Sequence, residues 1–523
     1  MTANTQGPEP AEVGPGLAEL IRAQARRHPE AVAVSAGGVD LTYGELARRA
    51  AGVRAAVRAY GAGPERPVAV LASPGADLVV ALVGALSSGA PLMCLAGAGT
   101  AHAALSDLEP ACVVTDSGPD DQVRQAVGAT GVPVLDIADI PGATDAPVSA
   151  VAPDATAYVA YTSGTTGRSK GIRQTHAALA QFTGWFAAEF GIGAGTRLAQ
   201  WAAPGYDACL VEVFAALRAG ATLCPVPRRV RVDPDRLVPW LSRERVTVLQ
   251  TVPSFARELE PLLVGALAPA RLATLLLAGE ALPGPLAGRL RARLPRTRLV
   301  NLYGPTETIL ATWHEVSAAD TGPGTVAIGR PIPGRELLVL DDRDGPCPPG
   351  EIGHLVISSR YVTTGYVGAA AADNAVFRPP AGADGLAPHY WTGDLGRWRP
   401  DGVLEFHGRR DLQIKMYGTR IELADVEAAL SADAAVAACA VVPVTGADGL
   451  LVRLDAYVVP GPGGTPDRWR SALRHRFDDA VLPVAFTTVD SLPRNTGGKV
   501  DRRALAGLRT GRTKHRDPME CAQ

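Results

Sequence analysis

The 523 residues carry 51 Lys and Arg against 53 Asp and Glu, a net charge of −2, and 47% of the side chains are hydrophobic. With Arg scattered along the chain, no broad basic face for a nucleic-acid backbone is expected, and the length calls for several structural units rather than one simple core. The seven cysteines are odd in number, widely spaced and free of any Cys-x-x-Cys pair, which indicates neither a disulfide framework nor a thiolate zinc site. They read as buried small hydrophobes in reducing surroundings.

The first residues lack a basic segment followed by an apolar one, so no leader is read there. From residue 17 to about 320, helix-period segments alternate with short β-rich runs. Gly16–His28 precedes Ala31–Ala36, the stretch 41–61 precedes Pro67–Ala72, and the stretch 76–89 precedes Pro91–Leu95. That rhythm predicts parallel sheets covered by helices. The most apolar stretch, Val68 to Leu86, is broken by Pro74, Gly75 and Asp77, so no membrane span is expected and a cytoplasmic location follows. Between about 322 and 410, short strands between turn residues predict a small β-barrel or a distorted sheet. After Asp411 a compact segment reads strand, helix, strand, helix. The fold class is therefore α/β: a large N-terminal domain (1–410) of two helix-covered sheets plus the small barrel (322–410), and a small mobile α+β C-terminal domain (411–523).

Of the basic residues only four are Lys, and three of them, Lys170, Lys415 and Lys499, fall in short Gly-, Pro- or charge-rich segments. In a chain that otherwise uses Arg as its surface cation, a retained Lys suggests a compact ammonium that a planar guanidinium cannot replace. The first of the three closes Tyr161-Thr162-Ser163-Gly164-Thr165-Thr166-Gly167-Arg168-Ser169-Lys170-Gly171. It follows an apolar strand and offers a flexible backbone rich in N–H and O–H donors, suited to a polyphosphate. It is not a Walker A loop, because Ser169 precedes the Lys and Gly171 follows it.

This segment resembles the phosphate loop of the adenylate-forming superfamily, in particular the amino-acid adenylation domains of nonribosomal peptide synthetases. Further motifs agree in order. Leu41-Thr42-Tyr43-Gly44-Glu45-Leu46 is similar to the first core motif. Asn301-Leu302-Tyr303-Gly304-Pro305-Thr306-Glu307 is similar to the adenine and magnesium motif, and Tyr390-Trp391-Thr392-Gly393-Asp394-Leu395 to the ribose motif. Gly408-Arg409-Arg410-Asp411, with Gln413, Lys415, Gly418, Arg420, Ile421 and Glu422, resembles the hinge motif, and Asn495 to Arg502 the terminal lysine motif. The resemblance spans residues 41 to 505. Three departures touch loop rigidity and carrier contact: Arg168-Ser169 before Lys170, Met416-Tyr417 before Gly418, and a degraded second motif over residues 86–97.

The resemblance implies an ATP- and Mg²⁺-dependent ligase. Joining a carboxylate to ATP brings two anions together, so the site must neutralise charge and align the attacking oxygen with the α-phosphorus. Lys499 would bridge carboxylate and nucleotide. Glu307 would hold Mg²⁺, a hard cation that prefers oxygen. Thr162, Ser163, Gly164, Thr165, Thr166, Gly167 and Lys170 would cradle phosphates. Tyr303 and Gly304 would face adenine, Asn301 and Gly279-Glu280 its edge, and Thr306 the α-phosphate. Asp394 would accept from the ribose hydroxyls with Arg409 beside it. Lys415 lies far from Lys499 in sequence, so the implied cycle has the small domain rotate about the hinge Asp411, presenting Lys499 for adenylation and then the Lys415–Gly418 face for thioester formation.

Gly205 to Glu212 resembles the family segment in which an Asp pairs the substrate α-ammonium. That role falls on Asp207, which would be left with an unmet charge opposite a plain fatty or aryl acid; the competing role is helix N-cap. Tyr206 would stand where a pantetheine arm enters. Carried over by motif, the remaining pocket wall is Ala208, Val211, Ser254, Leu276, Ala278, Leu302, Leu310 and Ala311, which carries no further charge and suits a small or medium apolar α- or β-amino acid. The chain ends soon after Leu505, so the expected partner is a separate carrier protein with a phosphopantetheine arm, which a small activating protein can join. The alternatives are an acid:CoA ligase of the same superfamily and a non-catalytic interaction module.

Overall fold

The computed structural model describes residues 16–95, 98–116, 125, 127–144, 150–162, 170–265, 269–381, 387–410, 413–416, 419–446, 448–474, 477, 484–493, 500, 502, 504 and 505. The chain divides into two compact units that meet in sequence between Asp411 and Leu412. Asp411, Tyr417, Gly418, Lys499 and the loop Ser163–Ser169 lie outside the described residues.

Among the described residues, two large sheets organise the first unit. One is nine-stranded, in the order Arg330–Pro331, Thr312–Glu315, Arg298–Tyr303, Thr274–Ala278, Val248–Thr251, Arg197–Gln200, Thr222–Pro225, Val32–Ala36, Val39–Thr42. The other is seven-stranded, in the order Tyr366–Val367, Lys170–Thr175, Thr156–Thr162, Leu92–Cys94, Val68–Leu71, Cys112–Thr115, Val134–Asp136. Their interiors are parallel, as the helix–strand rhythm predicts, and strands buried on both faces read as continuous apolar runs such as Val68–Leu71. Antiparallel strands appear at edges. Val32–Ala36 turns back into Val39–Thr42 because Gly37 and Gly38 both take positive φ, 60° and 84°, the two-residue turn whose twist matches a hairpin.

The first core motif has a structural reading. Thr42 and Glu45 form a capping box for the helix Tyr43–Ala59: the Thr42 hydroxyl accepts from the Glu45 N–H, and the Glu45 carboxylate accepts from the Thr42 N–H at 2.9 Å. The buried Tyr43 hydroxyl donates to the Ala221 carbonyl at 2.8 Å, tying that helix to the turn beyond the helix Asp207–Arg218. The apolar helix Ala76–Ser87 packs on Tyr43–Ala59, and Gly84 permits the contact, since a Cβ there would lie 2.6 Å from Val53. Where a small barrel is expected, Glu336–Leu340, Gly353–Ser358, His389–Trp398 and Leu404–Arg409 form a four-stranded antiparallel sheet. The short strands Arg330–Pro331 and Tyr366–Val367 from the same region join the edges of the large sheets instead.

Among the described cysteines, Cys112, Cys209 and Cys224 are buried as expected, whereas Cys94, Cys347 and Cys439 are partly exposed. No helix among the described residues is long and apolar enough to cross a membrane.

The second unit has more strands than the sequence rhythm suggests. A hairpin, Gln413–Met416 with Thr419–Glu422, precedes a three-stranded sheet of Val436–Thr445, Leu451–Pro460 and Val484–Thr488. The helices Leu423–Ser431 and Pro466–Arg474 supply Val426, Leu430, Trp469 and Leu473 to a core with Val441, Leu454 and Val458. Trp469 is fully buried, and its indole N–H donates to the Ala435 carbonyl at 3.3 Å. Trp469→Ala is expected to cost about 3–5 kcal/mol locally, the range for emptying a core aromatic site. Hydrogen–deuterium exchange should accelerate in Val436–Thr445 and Leu451–Pro460 and stay unchanged in the seven-stranded sheet; acceleration in both units would show that the cores are not separate.

Candidate active site

Several sequence-marked residues of the first unit follow the carboxyl ends of parallel strands, where α/β sheets expose loops and helix N-termini. Arg197–Gln200 leads to Asp207, Val248–Thr251 to Ser254, Thr274–Ala278 to Gly279-Glu280, and Arg298–Tyr303 to Gly304 and Glu307.

Asp394 is held by two side chains, Tyr303 and Arg409. The Tyr303 hydroxyl donates to Asp394 Oδ2 at 2.5 Å, and Arg409 Nη1 pairs with Asp394 Oδ1. Asp394 and Arg409 face each other across the paired strands His389–Trp398 and Leu404–Arg409. Burial, with the Asp394 carboxylate second, pushes the Tyr303 phenol well above its usual range, so it remains a donor at neutral pH. The Tyr303 ring lies 6.1 Å from Phe406.

Gly304 comes next, and no other residue fits there: a Cβ would stand 2.4 Å from Ala311 N and Leu310 Cα. This close return of the chain is built with Ile309 and Leu310 at φ 63° and 147°, conformations that side-chain-bearing residues rarely take and that cluster at functional sites. Between them and Gly304 runs the single turn Thr306–Thr308. The Thr306 carbonyl accepts from Gln174 Nε2 at 3.1 Å. Glu307 is wholly buried. Its Oε1 accepts from the Tyr366 hydroxyl at 2.8 Å, and its backbone carbonyl accepts from the Thr363 N–H at 2.8 Å.

Lys170 opens the strand Lys170–Thr175, opposite Thr162 in register. Its side chain is 6% exposed, with Nζ 2.8 Å from Asp373 Oδ2 and 5.1 Å from the centre of the Tyr366 ring. The sequence reading missed both Tyr366 and Asp373. Asn301 and Glu280 are committed to the scaffold: Asn301 Nδ2 donates to the Ala327 carbonyl at 2.9 Å, and the Glu280 carboxylate accepts from Ser254 N and Oγ at 2.8 and 3.0 Å. The Ser254 hydroxyl, expected on the pocket wall, is thus engaged by Glu280.

Asp207 is the first residue of the helix Asp207–Arg218, whose N-cap is Tyr206 with no side-chain capping bond. The N-cap role considered for Asp207 is therefore corrected. Its Oδ1 accepts from the adjacent Ala208 N–H at 2.9 Å, and its charge reaches the wholly buried Tyr158, where it adds to the effect of burial in holding the phenol protonated. Ala208, Val211, Leu276, Ala278, Leu302 and Leu310 belong to one apolar cluster, whereas Ala311 packs into the core of the four-stranded sheet. The same helix, Asp207–Arg218, carries a buried acid that the sequence reading left out of the site. Glu212 is buried, accepts from Ala202 N at 3.0 Å, and is pushed well above the carboxylate range by desolvation. Tyr206 is 39% exposed at the helix start. In the second unit, Lys415 pairs in register with Arg420 across the first hairpin.

The donor set at Glu307 suits magnesium: a single buried carboxylate matches an ion that typically takes one or two protein carboxylates and fills the rest of its shell with water and phosphate oxygens.

Comparison with known proteins places this arrangement. The sequence signature of the AMP-binding enzymes matches residues 21–367, and that of the AMP-binding enzyme C-terminal domain matches residues 425–499. The phosphinothricin tripeptide synthetase PhsB of Streptomyces viridochromogenes is 37% identical over 512 residues, covering 95% of this chain and 43% of that protein. The novobiocin biosynthesis protein H of Streptomyces niveus is 35% identical, covering 96% of this chain and 84% of its own length. Among solved structures, holo-PA1221, a nonribosomal peptide synthetase protein with adenylation and carrier domains bound to a vinylsulfonamide inhibitor, superposes with a TM-score of 0.80. It is 25% identical and covers 94% of this chain and 84% of that one. The chain belongs to the AMP-binding enzymes, as an adenylate-forming ligase of the nonribosomal peptide synthetase adenylation type.

Proposed function

We propose that the chain activates an amino acid with ATP, releasing pyrophosphate to form an aminoacyl-AMP, and then passes the aminoacyl group to the phosphopantetheine thiol of a separate carrier protein. The observation that carries the reading is Asp207: a carboxylate at the start of a helix whose Ala208 and Val211 join the same apolar cluster as Leu276, Ala278 and Leu302. A carboxylate in such surroundings favours a ligand bearing an ammonium group and penalises one that lacks it. With Ser254 turned to Glu280 and no further charge on the wall, the favoured side chain is small or medium and apolar.

In this reading one carboxylate oxygen of the substrate attacks the α-phosphorus and pyrophosphate leaves from the opposite side. Lys499 meets the charge of both reactants, and Lys170 that of the β- and γ-phosphates. Tyr303 offers its ring to adenine. Asp394, already oriented by Arg409 and the Tyr303 hydroxyl, accepts from the ribose hydroxyls. Glu307 would hold Mg²⁺, which when bound offsets phosphate charge. In the second half-reaction the carrier thiolate attacks the acyl carbon and AMP leaves. The C-terminal unit turns about Asp411 between the two steps, bringing in the Lys415 hairpin, and Tyr206 borders the thiol's path.

ATP–pyrophosphate exchange across proteinogenic amino acids, several β-amino acids and simple acids tests the reading. Exchange is expected with a narrow group of apolar amino acids, and Lys499→Ala is expected to lower it about 10²–10³-fold, the scale for removing one transition-state charge contact. Exchange driven only by acids without an amine would overturn the amino-acid assignment. Asp207→Asn should raise KM for the amino acid at least about tenfold with KM for ATP little changed, the signature of a lost charge-assisted contact to one substrate. A parallel rise in both constants would remove Asp207 from that role. Chelating magnesium with EDTA should abolish exchange, and Glu307→Gln should raise the magnesium concentration needed for half-maximal rate; an unchanged requirement would contradict the metal assignment.

A further inference from the structure

We propose that Asp373 is a positioning residue for the magnesium nucleotide: it holds the Lys170 ammonium on the face of the Tyr366 ring and so keeps that cation apart from the Glu307 carboxylate. The proposal rests on the ATP-using reading above.

The geometry is a relay of four side chains. Lys170 Nζ lies 2.8 Å from Asp373 Oδ2 and 5.1 Å from the Tyr366 ring centre, and the hydroxyl of that ring donates to Glu307 Oε1 at 2.8 Å. Tyr366 therefore touches the cation with its face and the anion with its edge. The scaffold fixes each participant. Tyr366 and Val367 pair with Ile172 and Gly171 of the strand that Lys170 opens. Asn374, the residue after Asp373, accepts from the Tyr366 N–H at 2.8 Å, which ties the helical turn Gly368–Val376 to the same ring. Phe377 packs on the ring at 5.1 Å.

An ammonium only 6% exposed requires an anion near it, and the chain places two within reach of one aromatic ring. If Lys170 paired with Glu307, the ion pair would cancel the carboxylate that a metal needs and tie up the cation that phosphates need. Asp373, 29% exposed, pairs with Lys170, while Glu307 accepts from the Tyr366 hydroxyl. The long, flexible Lys side chain is then held in one place before any nucleotide arrives, so less ordering remains to be done on binding.

The test is calorimetric titration of the full chain with α,β-methylene-ATP in excess magnesium, with AMP as the comparison ligand because it lacks the β- and γ-phosphates. Asp373→Asn should weaken the analogue about tenfold, the scale of one charge-assisted contact, and leave AMP within about twofold of wild type. Asp373→Glu, which restores the anion, should recover most of the loss. Lys170→Met should weaken the analogue at least as much, and adding Asp373→Asn to it should have no further effect. Retained AMP binding also reports that each variant is folded. An Asp373→Asn protein that binds the analogue as wild type does, equal weakening of AMP, or full additivity in the double variant would each overturn the proposal. Absence of nucleotide binding by the wild-type chain would overturn the ATP-using reading itself, and this proposal with it.

Discussion

In the proposed reaction a carboxylate and a triphosphate repel each other, and that repulsion is the constraint the proposed site has to meet. Bringing two anions into a pocket that excludes water strengthens their repulsion, so the protein must supply cations and donors fixed in advance. The first unit does so while also burying acidic groups of its own. Glu307 and Asp394 are almost fully buried, yet each is held by named donors: Tyr366 for the first, Tyr303 and Arg409 for the second. A buried carboxylate stays ionised and usefully placed only when such partners exist. Tyr366 does double duty, since the ring whose hydroxyl donates to Glu307 presents its face to Lys170.

The scaffold explains why these groups meet. Parallel strands end on one side of the sheet, so Asp207, Ser254, Glu280 and Glu307, far apart in sequence, are delivered to one edge. The strained return at Ile309–Leu310, made possible by Gly304, then carries the chain back over that edge. Strain of this kind persists only where the surroundings over-determine it. Here they do: Ala311 N donates to the Tyr303 carbonyl at 2.8 Å, and the Ala311 side chain is wholly buried.

Much of this was legible in the sequence, for reasons that differ by residue. The helix–strand alternation announced the parallel interiors, because a doubly covered strand must be apolar throughout, as Val68–Leu71 is. Lys170, Tyr303, Glu307, Asp394 and Arg409 were marked by short contiguous motifs. What stayed hidden were the pairings across distance. No local pattern links Lys170 to Asp373, Glu307 to Tyr366 or Ser254 to Glu280, because each contact is made by sheet register and loop return rather than by spacing along the chain. For Asp207 the sequence left an ammonium partner and a helix cap in competition, and the structure removes the cap: the helix begins on Asp207 itself and Tyr206 occupies the cap position.

In the proposed reaction this edge joins a carboxylate to AMP and selects a substrate with an amine. The most direct measurement is mass spectrometry of the species bound to the full chain after incubation with ATP, magnesium and a mixture of amino acids and amine-free acids. The account predicts an aminoacyl-adenylate of an apolar amino acid as the bound product. An adenylate of an amine-free acid as the dominant species would contradict it.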